Sequence, residues 1–307
     1  MIAKETNDVK NFQRVSEYRV IGLRKYQLAV SCESPLSRAD SNGWGDWSVT
    51  ASLFLGRADN PLASSRRKTY NGAGSTEEGA MNFIEAILAE HAGKREVLPG
   101  EIINAKVDLV LGNELSSIVA IEQFRKAGAT KVFDKTKIAI VPDHFTPAKD
   151  IRTAEICKTI KEFVIEQGIT HYYEVGRGGI EHVILPEEGL VRPGTIIIGG
   201  DSHTVTYGAL GCFGAGIGST DMAAAFITGE IWLRVPETIK LVFHGKPGRW
   251  ASAKDMILRA IGKVGIDGAR YKAVEYVGEA VTNLEISGRL TLCNMAAEMG
   301  AKVGMIE

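Results

Sequence analysis

Apolar runs that stop abruptly at glycine or at a polar cluster recur through the later part of the chain, and one of them organises the rest. Thr195 to Ile198 passes through Gly199-Gly200 into Asp201-Ser202-His203-Thr204, a polar cluster at the end of a buried strand. Polar side chains in that position usually have a task. The glycine-dense stretch Gly208 to Gly218 then reads as a flexible loop, closing on Ser219-Thr220-Asp221 as an N-cap cluster for the apolar MAAAFITGEIW. Residues 195 to 223 are thus strand, polar cluster, loop and helix.

The same rhythm extends on both sides. Phe83, Ile84, Ile87 and Leu88 share one helical face in a segment that ends at Gly93. Lys106 to Leu111 reads as a strand, Ser117 to Lys126 as a helix ended by Gly128, and Lys137 to Val141 as a strand. Asp150 to Gln167 is a long amphipathic helix closed by Gly168. His171 to Val175 and Ile239 to Phe243 are further strands. Asp221 to Leu233, Ala253 to Lys263 and Leu290 to Met299 are further helices. Alternation of this kind implies an α/β fold whose largely parallel sheet is covered by helices. Working residues in such sheets collect beyond the carboxyl ends of the strands.

Three polar clusters meet that rule: Asp143-His144 after KIAIVP, His182 in the GRGGIEH loop, and Asp201-Ser202-His203. An Asp beside a His can orient the imidazole and favour its charged form. A lone His is usually a satisfied structural residue, but three His-bearing loops at strand ends, out of 6 His in the chain, favour a shared site. Gly214, Gly216 and Gly218 approach a dinucleotide fingerprint, but position 219 is Ser, so the spacing fails. That loop can bind an anion through backbone N–H groups, or it can simply permit close packing. Asn294 and Glu298, four apart on the last helix, project from one face as either surface residues or a polar pair.

Composition narrows the field. A net charge of -1 gives no field for nucleic acid or anionic membrane. No signal-like or membrane-spanning run occurs in the sequence. Cys32, Cys157, Cys212 and Cys293 form no C-x-x-C pair, which argues against a zinc ribbon or disulfide framework and fits a reducing, cytoplasmic compartment.

Residues 1–80 lack the βα rhythm, and only Trp47 to Leu55 alternates like a strand. Glu77-Glu78-Gly79-Ala80 before Met81 can be encoded by a purine-rich, ribosome-binding-like sequence. Met81 is therefore a candidate start, with residues 1–80 as upstream sequence read in frame; the alternative is an ordinary N-terminal extension. The expected organisation is an extension over 1–80 and one α/β unit over 81–307.

VPDHF, GRGGIEHVILPEEGL, GDSHTVTYGALGCFGAGIGSTDMA, VPETIK, GIDGARYKAVEY and LCNMAAEMGAK, in that order, resemble the aconitase superfamily. The likeness runs continuously over about residues 81–307 and is closest to the 3-isopropylmalate dehydratase large-subunit branch, with homoaconitase as near kin. It implies a three-layer α/β/α fold and a hydro-lyase that removes and re-adds water on a hydroxy di- or tricarboxylate, with leucine biosynthesis as the setting. It also implies a [4Fe-4S] cluster whose open iron acts as a Lewis acid, and a small-subunit partner that supplies the base and substrate-binding arginines.

By motif position, the resemblance makes His144 with Asp143 the acid for the departing hydroxyl. His182, Asp201 and His203 become the surrounding hydrogen-bond network, and Ser202 stands beside the substrate. Asn294 and Glu298 become the pair that approaches the cluster, and Asn113 stands where relatives carry a substrate-contacting Gln or His. The family's three cluster-ligating cysteines lie downstream of the NMAAEMGAK helix, and no cysteine of this chain stands in their contexts, so the expectation is a partial large subunit without metal ligands of its own. The alternatives are a homoaconitase or methylmalate-type large subunit, and a non-catalytic assembly module.

Overall fold

In the computed structural model, residues 29–30, 47–54 and 81–307 are described. In chain order the strands are β1 (Ala29–Val30), β2 (Trp47–Phe54), β3 (Ile102–Lys106), β4 (Leu109–Gly112), β5 (Ile138–Ile140) and β6 (His171–Tyr172). They continue with β7 (Ile196–Gly199), β8 (Phe213–Gly216), β9 (Glu230–Arg234), β10 (Thr238–Gly245), β11 (Ala273–Val277) and β12 (Val303–Met305). The α-helices are α1 (Phe83–His91), α2 (Glu114–Lys126), α3 (Ile151–Gln167), α4 (Glu181–Glu187), α5 (Ser219–Thr228), α6 (Ala253–Val264), α7 (Glu279–Thr282) and α8 (Ile286–Asn294). Two 3-10 helices, Ser202–Leu210 and Met295–Met299, complete the set.

The central sheet runs β6-β5-β4-β7-β8, and every pairing in it is parallel. A parallel sheet is covered on both faces, so its strands carry apolar side chains at consecutive positions. Val110, Ile138, Ile140, Ile196 and Ile198 enter one core with residues of α1, α2, α3 and α5. Leu109, Leu111, Ala139, Val141 and Ile197 face the opposite core with Leu185 of α4 and Tyr207 of the first 3-10 helix. The period-2 alternation of the strands thus separates two helical layers around one sheet. This is the expected three-layer α/β/α arrangement.

A second sheet, β1-β2-β10-β11-β12, joins β10, β11 and β12 in parallel and adds β2 antiparallel to β10. Val49 of β2 is buried with Ile239, Leu241 and Phe243 of β10 in a third core. Lys263 on α6 donates to the Val49 carbonyl at 2.9 Å. Apart from β1 and β2, the segment expected to be an extension lies outside the described residues. β3 and β9 form a separate antiparallel ribbon.

Local details differ from the sequence expectation in four places. The helix drawn from Asp221 to Leu233 stops at Thr228, because Gly229 turns the chain at φ 71°, and Glu230–Arg234 becomes β9. Gly218 occupies the N-cap of α5 with no side-chain cap bond, in place of the Ser219-Thr220-Asp221 cluster. The last helix divides into α8 and the second 3-10 helix. The glycine-dense stretch is also not a loop. It forms the first 3-10 helix and β8, packed so closely that a Cβ on Gly216 would sit 2.7 Å from the Asp201 carbonyl oxygen.

Gly208 is the sharpest case of this packing, since a Cβ there would lie 1.8 Å from the Gly304 carbonyl oxygen. Gly208→Ala is expected to cost about 3 kcal/mol or more by overpacking. Gly262, inside α6 with nothing within 4 Å of an added Cβ, should gain about 0.5–1 kcal/mol on change to Ala. Urea unfolding midpoints check both, and a Gly208→Ala variant as stable as wild type would contradict this packing.

Candidate functional site

Because β4, β5, β6 and β7 are parallel, the segments after them emerge on one edge. The order 6-5-4-7-8 places β5 and β7 on opposite sides of β4, so the chain switches direction there and leaves a crevice above its carboxyl ends. A cavity of about 500 Å³ occupies that edge. Asp143, His144, Glu181, His182, Asp201, His203 and Asn294 all contribute to its lining.

Asp143 and His144 follow β5. The Asp143 Oδ1 lies 2.5 Å from His144 Nδ1, which fixes the ring and turns its other nitrogen to the opposite side. His144 Nε2 is 3.9 Å from Asp201 Oδ2 across the site. The loop bearing this pair is anchored by Glu114, the first residue of α2, which is 0% exposed. The Glu114 carboxylate accepts backbone N–H bonds from Asp143 at 3.0 Å, His144 at 3.2 Å and Phe145 at 2.5 Å.

His182 falls on the first turn of α4 rather than in a loop. Its Nε2 lies 3.0 Å from Asp201 Oδ1, and its Nδ1 lies 3.2 Å from the buried Tyr207 hydroxyl. Tyr207 in turn donates to the Glu181 carbonyl at 3.2 Å. Asp201 caps the first 3-10 helix by accepting the His203 N–H at 2.7 Å. Partial burial alone would raise the Asp201 pKa. Hydrogen bonds from His182 and from the His203 N–H, with the charges of both rings, outweigh that and bring it down to about 2.

Ser202 is exposed, 3.2 Å from His203 Nδ1. His203 Nε2 is 3.6 Å from Glu298. Asn294 reaches the same turn by donating to Thr206 Oγ1 at 2.9 Å. Asn113 stands apart from these residues. It is 1% exposed and caps α2, accepting from the Leu115 and Ser116 N–H groups and donating to Glu181 Oε1 at 3.1 Å. It forms part of the cavity's support and does not line it.

Sequence reasoning missed Glu114, Glu181 and Tyr207. Glu181 is 1% exposed, and burial, with the charges of Asp143, Asp201 and Glu114, pushes its carboxyl up to about 8 against the pull of its Asn113 hydrogen bond. The described thiols do not fit an iron–sulfur cluster. Cys157, Cys212 and Cys293 stand away from the cavity lining, and burial pushes each thiol up, away from the thiolate form a metal ligand needs. Cys32 lies outside the described residues.

Two stability outcomes follow from this geometry. Glu114→Ala leaves the 143–145 backbone donors without their acceptor and should cost about 3 kcal/mol or more, whereas Glu122→Ala, an exposed ion-pair change, should cost less than about 0.5 kcal/mol. Chemical denaturation distinguishes them. Because the folded-state pKa of Asp201 is depressed, its contribution is present above the ordinary carboxylate range and lost as pH falls toward about 2. The stability gap between wild type and Asp201→Asn should therefore narrow as unfolding is measured from pH 5 downward, and a constant gap would contradict the network.

Comparison with known proteins identifies the family of the sequence. Residues 85–307 match the aconitase family (aconitate hydratase). The chain is 58% identical over 226 residues to the 3-isopropylmalate dehydratase large subunit of Thermodesulfovibrio yellowstonii, covering 74% of this chain and 54% of the relative. It is 58% identical over 225 residues to that of Moorella thermoacetica, covering 73% and 53%, and 56% identical over 227 residues to that of Acetivibrio thermocellus, covering 74% and 54%. The chain spans about half the length of these curated relatives. With its motifs set along one edge of a three-layer α/β/α core, the chain belongs to the aconitase family.

Proposed function

We propose that this chain supplies the acid and hydrogen-bonding face of a hydro-lyase site of the 3-isopropylmalate dehydratase type, acting on a hydroxy di- or tricarboxylate. The observation that carries the reading is the Asp143–His144 pair, held at 2.5 Å and set opposite Asp201 on the cavity. Removing a hydroxyl from carbon requires a proton at the departing oxygen. With its Nδ1 hydrogen bonded to Asp143, His144 offers Nε2–H to that oxygen. As the C–O bond breaks, the C–H electron pair of the neighbouring carbon forms the double bond, that proton passes to a base the small-subunit partner would supply, water leaves and the His144 ring is left neutral. On rehydration the same nitrogen takes the proton back.

Around it, the ionised Asp201 only accepts hydrogen bonds, so it orients His182 Nε2–H and the His203 turn. Ser202, Asn294 and Glu298 gather at that turn, which suits them to contacts with substrate oxygens. A [4Fe-4S] cluster, which the family implies, would supply Lewis-acid chemistry at the substrate hydroxyl, and the described residues provide no ligands for it. The relatives' description as large subunits supports a small-subunit partner. The same likeness supports leucine biosynthesis as the setting.

Reconstituted anaerobically with iron and sulfide, the 307-residue chain alone is expected to hold no stoichiometric cubane and to turn over no 3-isopropylmalate. The active test is a hybrid. This chain is joined to the remaining half of the Thermodesulfovibrio yellowstonii large subunit and paired with that organism's small subunit. The hybrid should be active, and His144→Ala in it should lower kcat by about 10²–10⁴-fold with a smaller change in KM. A His144→Ala hybrid within about threefold of the parent would remove His144 from the acid role.

A further inference from the structure

Four carboxyl groups converge under the cavity, and three of them have partners suited to a negative charge. Glu114 accepts the backbone donors of Asp143, His144 and Phe145. Asp143 has the His144 ring on one oxygen and the Glu181 N–H, at 2.8 Å, on the other. Asp201 has His182 and the His203 N–H. Glu181 has none of this support. Its Oε1 takes one neutral amide bond from Asn113 at 3.1 Å, and its Oε2 is buried with no hydrogen-bond partner.

The groups that face Glu181 come from every element packed against it. Asn113 and Glu114 stand after β4, and Asp143 and His144 after β5. His182 is its neighbour on α4, with Nε2 3.6 Å from Oε1, and Asp201 and Tyr207 belong to the first 3-10 helix and its cap. His144, Glu181 and Asp201 offer polar atoms all within 4.8 Å of one another. The cationic candidates among these are His144 and His182, and both direct a ring nitrogen at another carboxylate. A buried carboxylate without a cation or several donors is the member of such a group that takes up a proton.

We propose that Glu181 is the proton-bearing member of this quartet, a neutral carboxyl beside His182 that keeps a fourth negative charge from the cavity floor. The inference rests on the dehydratase reading in one respect: a cavity for an anionic substrate gains from each negative charge removed beneath it. The upward displacement of its pKa to about 8 is consistent with the geometry.

The test is histidine and carboxyl NMR on the 307-residue chain, read against pH. In wild type, the ring resonances of His144 and His182 should move together with a midpoint near 8 as Glu181 ionises. In Glu181→Gln, which keeps a neutral planar group there, their positions at pH 6 should coincide with wild type and the movement near 8 should vanish. Ring resonances already displaced at pH 6 in Glu181→Gln would mean that a charge had been removed, and would overturn the proposal. If the variant does not fold, ¹³C detection of glutamate Cδ in wild type decides alone. A resonance in the protonated position at pH 7 that titrates near 8 supports the proposal, and full ionisation of every glutamate by pH 6 overturns it. Turnover by the hybrid enzyme is scored separately, so an inactive hybrid would sink the dehydratase reading while the titration still decides Glu181.

Discussion

Charge compensation at the carboxyl edge of the central sheet is the constraint on which the rest of the site depends. Four acidic side chains there cannot all be ionised in a half-buried crevice without partners. The fold meets this with backbone donors before it uses cations. Glu114 gathers the N–H groups of an entire loop, Asp201 caps a 3-10 helix, and Asp143 accepts the first N–H of α4. Each acid therefore fixes a piece of backbone as well as a charge. The position of His144, whose own backbone is held by Glu114, follows from that arrangement.

The parts of this design that were legible from residues are those set by periodicity. The apolar runs at 138–140 and 196–199 read as strands because a strand buried on both faces has no place for polar side chains. Once the strands are parallel, Asp143, His144 and Asp201 must share an edge. Glu114 was not legible, because a Glu in the first turn of a helix after an Asn cap is an ordinary dipole complement. Its actual partners lie about thirty positions away, beyond the reach of any local pattern. Glu181 was hidden in the same way, as a polar neighbour of a more conspicuous histidine.

The misread elements have equally physical causes. In EIWLR the apolar Leu233, seven positions on from Phe226, continues a helical stripe, while Ile231 and Leu233 together alternate with Glu230, Trp232 and Arg234 as a strand would. Gly229, in the left-handed region, decides between the two by ending the helix. The glycines from 208 to 216 suggested freedom, and the structure uses them for contact. Gly214 and Gly216 bring β8 against the backbone at Thr204 and Asp201. Of the two possibilities open for that stretch, close packing is the one the described contacts support.

That packing also ties the carboxyl edge of the central sheet to the second sheet at this point. The first 3-10 helix gives Tyr207 to the core beneath the central sheet and Val205 and Ala209 to the core of the second sheet. Gly208 lies against the carbonyl of Gly304 at β12, and Lys302 beside that strand donates to the Gly216 carbonyl at 2.8 Å. Asn294 joins the same helix through Thr206, whose hydroxyl donates to the His203 carbonyl at 2.6 Å. A shift of the second sheet relative to the first would have to carry the His203 turn with it or break these contacts. The Asp201 cluster therefore sits at a joint, where Asp201 from the central sheet's edge and Asn294 from α8 both bond to the first 3-10 helix.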